Sequence, residues 1–398
     1  MLCERGRGRS WPGLAVFEAD DPLSAFGALA NLVRRRSRAT VVGVAGSAGK
    51  TTTKDVLRSL LDPVLPTVAS PASFNNKLGV SLTLSLLETA TAVCVCELGT
   101  SGPGDLAAVC SIAEPDVGIL TAIGPEHLAS IGSLSGVAAA EAELIAALRP
   151  RSPLVLPHGE PLLDPYRRRD LDEWTFGLDG QADVHPIEWR RVCGSTEVAL
   201  SVRRETIAFT TNIGLPHHRL NMCAAVAAYA ALGLPLERIR EGAAAIELSP
   251  WRGEERRLPG GGVLINDAYN ANPLSMRAAL EALVSQRARV RAVAILGDMA
   301  ELGGESERWH EWIGEEATAL GIDLLVAVGP LAAGYVAGAK GLIDSCWFPD
   351  RATAAAALPR LLHAGDAVLL KASRVAGLER LVDAVFGALA IASVGEAS

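Results

Sequence analysis

No apolar stretch in the chain approaches the ~20 residues that cross a membrane. The N-terminus, MLCERGRGRSWPG, is basic but has no apolar region behind it, which sets a secretory signal aside. No Cys-x-x-Cys pair occurs among the seven cysteines, Cys3, Cys94, Cys96, Cys110, Cys193, Cys223 and Cys346. An odd number without such pairs reads as reduced thiols in the cytoplasm, not as a disulfide framework. Basic charge is also short, with 37 Lys and Arg against 45 Asp and Glu and a net charge of −8. A general nucleic-acid binder would more often carry the opposite excess. Internal repeats are lacking as well.

What is present is an ample core. Of 398 residues, 49% are apolar and 21% charged, the composition of a globular chain of two or three domains at roughly 150 residues each. After a helix-like stretch from Pro22 to Arg35, strands and helices alternate. Thr40–Ala45, Ala92–Cys96, Val117–Thr121 and Leu154–Leu156 are short apolar runs of the kind that form buried parallel strands. Thr175–Ile213 is polar and alternating, which predicts antiparallel hairpins. A helix is expected over Asn221–Leu232. A second alternating block follows Ser249, with strands at Val263–Ile265, Val293–Leu296, Leu324–Val328 and Val368–Lys371. The turn Pro250-Trp251-Arg252-Gly253 marks the seam, and the class is α/β with two parallel units.

The strongest chemical signal is Gly46-Ser47-Ala48-Gly49-Lys50-Thr51-Thr52 between the first strand and a helix. Glycines let backbone N–H groups approach phosphate oxygens, the helix N-terminus favours negative charge, Lys50 neutralises it, and the Thr51 hydroxyl can face Mg²⁺. The general P-loop pattern places Gly six residues before the Lys; here Val44 stands there and Gly43 lies one further back, so the loop is a variant. Its bland alternative is a glycine turn that packs a strand on a helix. Glu97 ends an apolar strand beside this loop, where a carboxylate suits Mg²⁺; an exposed loop acid is the competing reading. His127 alone would read as a structural hydrogen-bonding group, and Asn75 and Asn76 as turn residues.

The loop, in the form G-x-x-G-S-x-G-K-T-T-T-K, resembles that of the Mur ligases, which build the peptidoglycan stem peptide. The resemblance runs from about residue 12 almost to the end. It is nearest to the branch that joins D-alanyl-D-alanine to UDP-N-acetylmuramoyl-tripeptide. Ser73-Phe74-Asn75-Asn76-Lys77-Leu78-Gly79 (with Ser81 for the usual Pro), Glu97-Leu98-Gly99, Pro103-Gly104-Asp105-Leu106 and Gly124-Pro125-Glu126-His127-Leu128 follow in the family's order. So do Asn266-Asp267-Ala268-Tyr269-Asn270-Ala271-Asn272-Pro273, Leu296-Gly297-Asp298-Met299-Ala300-Glu301-Leu302-Gly303 and Lys371-Ala372-Ser373-Arg374.

The resemblance implies a remnant of an N-terminal domain over 1–37, a central P-loop Mur ligase domain over 38–247 and a C-terminal Rossmann-like ligase domain over 248–392. It implies ATP and Mg²⁺ as cofactors, an acyl-phosphate mechanism, closure of the C-terminal domain, and small-molecule substrates with no nucleic acid or membrane span. The reading expects a cytoplasmic monomer. By resemblance, Lys50, Glu97, His127 and Glu141 are catalytic, with Thr51, Glu97, His127 and Glu141 at the metal. Glu141 stands where the family carries a carbamylated Lys, so a carboxylate on a shorter arm would replace it; a helix-surface Glu is the alternative. The nucleotide falls to residues 46–52, Asn76, His217, Asn221, Arg252, Asp267, Tyr269 and Asn270, with His218 in place of the family's Asn. Asn75, Asn272, Asp298, Lys371, Ser373 and Arg374 are expected at the substrates. Two readings compete: a related amide ligase acting on another acid and amine, and a nucleotide-binding pseudo-ligase.

Overall fold

The short strands β1 (Leu2–Glu4) and β2 (Phe17–Ala19) pair in parallel ahead of α1 (Pro22–Arg36). The computed structural model describes residues 1–8, 13–286 and 290–395, without the side chains of 391–395. Asp21 caps α1 by accepting the Leu23 and Ser24 N–H groups at 3.0 and 3.2 Å, and Pro22 opens the helix with its φ already set. At the other end the buried Arg34 donates to the carbonyls of Ala113 and Ala39 and pairs with Asp116 at 2.6 Å.

From Thr40 the chain alternates through β3 (Thr40–Ala45), α2 (Lys50–Leu61), β4 (Thr67–Ala69), α3 (Lys77–Ser85), β5 (Val93–Glu97), α4 (Asp105–Ala113) and β6 (Val117–Leu120). Then follow α5 (Leu128–Ile131), α6 (Leu134–Glu141), α7 (Glu143–Ala147), β7 (Pro153–Pro157), β8 (Asp172–Phe176), β9 (Val184–Val192), β10 (Ser195–Val202), β11 (Glu205–Thr211) and α8 (His218–Ala231). The sheet order is β11-β10-β9-β8-β7-β6-β3-β5-β4. Strands β4 to β8 and β3 run parallel, and the near-continuous apolar runs are what burial on both faces requires. The chain passes from β5 across β3 to β6, so the switch point of the sheet lies at the carboxyl end of β3, where ligands gather in such folds.

The alternating segment is antiparallel only in β9, β10 and β11. Thr175 lies instead in β8, which pairs parallel with β7 and continues the main sheet. At the β9–β10 turn Cys193 and Gly194 both take positive φ, 51° and 89°, and Cys193 is exposed.

The second sheet has the order β12-β13-β17-β14-β15-β16, from β12 (Glu254–Arg257), β13 (Val263–Asn266), β14 (Ala292–Gly297), β15 (Leu324–Val328), β16 (Asp344–Phe348) and β17 (Ala367–Lys371). All pairs are parallel except β12 with β13. Both edge strands escaped the sequence reading. Glu-Glu-Arg-Arg and Asp-Ser-Cys-Trp-Phe have neither an apolar run nor a clean alternation, because an edge strand with a solvated side needs neither. One apolar layer packs on each face of the sheet, around Leu280, Leu296 and Ile313 on one side and Leu264, Val326 and Leu370 on the other.

Two compact units result: Met1–Ile123, Ala138–Gly214 and Arg219–Glu247 form one, and Gly124–Val137, Leu215–His218 and Leu248 onward the other.

Candidate active site

In the first unit, β3 delivers the glycine loop and α2 starts at Lys50. Gly46 has φ 121° and Gly49 φ 86°, a left-handed backbone that residues with a Cβ rarely adopt. Space excludes a side chain as well. A Cβ on Gly46 would lie 2.4 Å from Thr121 Oγ1, and one on Gly49 2.4 Å from Asn221 Oδ1. The loop is braced from outside by the Thr121 hydroxyl, which donates to Ala48 O at 2.6 Å and Ala45 O at 3.1 Å. Ser47 N–H donates to Ala122 O at 2.8 Å. The Lys50 ammonium donates to Gly46 O. Thr51 and Thr52 are buried in the first turn of α2, and no side chain caps that helix start.

Glu97 is buried at the end of β5, so the exposed-acid reading does not hold. Its Oε1 accepts Asn75 Nδ2–H at 2.9 Å. Its Oε2 is enclosed with no hydrogen-bond partner among the described residues. An enclosed carboxylate oxygen is costly unless a proton or cation meets it, so Glu97, beside the phosphate loop, fits a magnesium ligand. Asn76 is the N-cap of α3 and accepts Gly79 N–H at 2.9 Å.

Glu141 is 1% exposed, so the helix-surface alternative is removed. Val137 and Glu141 on α6 and Leu144 on α7 are all buried. Glu141 Oε2 accepts the Gly46 N–H at 2.7 Å, bringing a carboxylate onto the loop backbone. Asn221, on α8, stands against Gly49, and its Oδ1 is 3.4 Å from Thr53 Oγ1.

The second unit gathers the remaining residues at neighbouring strand ends. Lys371, closing β17, is buried. Its Nζ pairs with Asp267 Oδ2 at 2.6 Å and donates to Asn270 O at 3.0 Å. Burial lowers the Lys371 pKa, against the opposing pull of Asp267. Arg252 stacks its guanidinium over Tyr269 at 3.9 Å, and Arg374 lies 4.6 Å from the ring of Trp251 while bonding Glu379 at 2.8 Å. Ser373 accepts Ala300 N–H at 2.8 Å and donates to Ala271 O at 3.2 Å. Asn272 caps helix Pro273–Ser285 in a box with Ser275. Asp298 accepts Ala332 N–H at 2.8 Å, and burial raises its pKa. Gly329, at φ 121°, leaves the room this needs, since a Cβ there would sit 2.5 Å from Asp298 Oδ1.

His127 also belongs to this unit. It has φ 49° and sets Nδ1 2.5 Å from Glu301 Oε2. His217 and His218 meet edge to face at 4.4 Å. Enclosure of its ring nitrogen lowers His217 to about 3, with Lys371 adding to the effect. Burial first, then His217, pushes His218 well below the usual range. Both imidazoles are therefore neutral near pH 7.

Sequence reasoning gave no role to Thr121, the loop's brace, or to Lys54, which is buried on α2. A lysine one turn after Lys50 in a run of threonines was the available signal for the second.

A glycine cradle at the switch point of a parallel sheet, beside an enclosed carboxylate, is an arrangement suited to binding phosphate groups, and a second α/β unit follows it. Two family models match this layout: the Mur ligase middle domain over residues 44–229, and the Mur ligase glutamate ligase domain over 251–374. The chain belongs to the Mur ligase family. It is 31% identical over 371 residues to the UDP-N-acetylmuramoyl-tripeptide–D-alanyl-D-alanine ligase of Bacillus subtilis, covering 92% of this chain and 80% of that one. The Escherichia coli ligase of the same name is 30% identical over 378 residues, covering 92% and 81%. Among solved structures, MurF from Acinetobacter baumannii superposes with TM-score 0.87 at 28% identity, covering 97% of this chain and 84% of that one. The Thermotoga maritima MurF ligase in complex with ADP gives 0.84 at 27% identity, covering 98% and 88%.

Proposed function

We propose that the chain is an ATP-dependent amide ligase that joins D-alanyl-D-alanine to UDP-N-acetylmuramoyl-tripeptide in the cytoplasm. The observation that carries the reaction type is the Gly46–Thr52 cradle with the enclosed Glu97 oxygen beside it. The substrate pair is carried by relatives of that name, similar over most of their length. The competing readings, another acid and amine or a pseudo-ligase, are the less favoured ones for the same reason.

The loop N–H groups and the start of α2 hold the nucleotide phosphates, and Lys50 leaves Gly46 O to neutralise the transferring phosphoryl group. The tripeptide carboxylate attacks the γ-phosphorus, the bond to the β-γ bridging oxygen breaks, and ADP leaves. The D-alanyl-D-alanine amine then attacks the acyl carbon, loses a proton, and expels phosphate. Thr51, Glu97 and Glu141 are the first unit's candidates to hold Mg²⁺, and His127 Nε2 is the donor that the family role would use. Bound there, Mg²⁺ would offset charge on the phosphoryl oxygens. Glu141 also fixes the loop through Gly46, and Glu301 sets the orientation of the His127 ring. Asp267, Arg252 and Tyr269 are proposed at the nucleoside. Asp298, Ser373 and Arg374 are proposed at the incoming amine.

The test is ADP release with UDP-N-acetylmuramoyl-tripeptide plus D-alanyl-D-alanine. Release that requires both substrates is expected. No release with this pair, but release with another acid and amine, would overturn the substrate assignment.

A further inference from the structure

The mechanism leaves one buried cation of the phosphate-loop helix without a part. Lys54 lies one turn beyond Lys50 on α2 and is 1% exposed. Its ammonium donates to Ser70 O at 2.8 Å and to Ala72 O, and it faces Asp55 Oδ1 at 3.1 Å. Both carbonyls belong to the turn that leaves β4. Ala72 has φ 46°, a conformation that persists in a residue with a Cβ only where its surroundings hold it.

That turn runs directly to the metal candidate. Ser70 Oγ accepts Glu97 N–H at 3.0 Å and the Thr83 hydroxyl at 3.1 Å. Asn75 O accepts Gly99 N–H at 2.9 Å, and Asn75 Nδ2 bonds Glu97 Oε1. The ammonium on α2 thus grips the turn whose two ends hold the backbone and the carboxylate of Glu97. A buried charge kept for stability alone would be a poor choice, because apolar groups of similar size usually do as well.

We propose that Lys54 is a positioning residue: through the Ser70–Asn75 turn it sets the Glu97 carboxylate relative to the phosphate loop carried on its own helix. The inference rests on reading Glu97 as a magnesium ligand. It goes beyond that reading in assigning the geometry of the site to a residue that touches neither nucleotide nor metal.

The test is ADP binding by calorimetry with Mg²⁺ and with EDTA, on wild type, Lys54→Met, Asn75→Ala, the double variant and Glu97→Gln, with a thermal melt of each. Lys54→Met is expected to keep the affinity seen in EDTA and to lose roughly 10–100-fold of the enhancement by Mg²⁺, as when a group orienting a metal ligand is removed. The double variant should lose no more than the worse single one. A lower melting temperature with full enhancement by Mg²⁺ would make Lys54 merely structural and overturn the proposal. Should Lys54→Met not fold, Lys54→Gln, which keeps one donor, is expected to show an intermediate loss; full enhancement in it overturns the proposal equally. If Glu97→Gln itself keeps the enhancement, the magnesium reading has failed and the part given to Lys54 falls with it.

Discussion

Three side chains divide the work around Gly46. Lys50 holds its carbonyl, Glu141 its N–H, and Thr121 the space a Cβ would need. Lys50→Ala should cut ADP formation by about 10²–10³-fold, the usual loss when one pre-placed charge is removed. Circular dichroism should be unchanged, and substantial residual turnover would contradict the assignment. Glu141→Gln keeps an acceptor for Gly46 N–H but drops the charge, whereas Glu141→Ala drops both. A coupled ADP assay should rank turnover as wild type, then Gln, then Ala. Unaltered turnover in the Ala variant would sink the ligand reading of Glu141. Gly49→Ala adds a left-handed strain and an overlap with Asn221 Oδ1. Weaker ADP binding in a titration is the expected result.

Among the elements, the strand ends of the second sheet depend on one buried ion pair. Removing a partner from such a pair leaves an uncompensated charge and costs about 3–5 kcal/mol. Lys371→Met should therefore lower the thermal midpoint, since it leaves the Asp267 carboxylate, 13% exposed, without its ammonium partner. Replacing both partners with apolar groups should recover much of the loss, and a double variant as unstable as the single would argue against this account. The interior parallel strands were legible because burial on both faces writes itself as a run such as Val93-Cys94-Val95-Cys96. Edge strands β12 and β16 were not, because solvent on one side removes that pattern. The glycine loop and the acid that ends β5 could be read from residue type and position along the chain, whereas the Asp267–Asn272 stretch was singled out only by its resemblance to the Mur ligases. The contacts of Glu141 and Lys54 were not: a helix periodicity states which face is buried, but not that an acid there meets Gly46 or that a lysine there meets Ser70 and Ala72.

Across the whole molecule, the half-buried imidazole of His217 and the buried one of His218 set an acid limit. His217 binds a proton only near pH 3 when folded and near pH 6.5 when unfolded, and burial shifts His218 in the same direction. Between those values the unfolded chain binds more protons, so stability is full above pH 6.5 and falls as pH drops, by up to about 1.4 kcal/mol per pH unit for each ring. Urea midpoints measured from pH 7.5 to 4.5 should fall, and His217→Gln should flatten the slope; an unchanged slope would refute the assignment. The β9–β10 turn has a practical consequence. Cys193 is exposed there while Cys94, Cys96, Cys110 and Cys223 are buried and Cys3 and Cys346 partly covered. A maleimide dye added at limiting amount should therefore attach mainly to that hairpin, which β8, β7 and β6 separate from β3 in the sheet, and give a fluorescent protein whose phosphate loop is untouched.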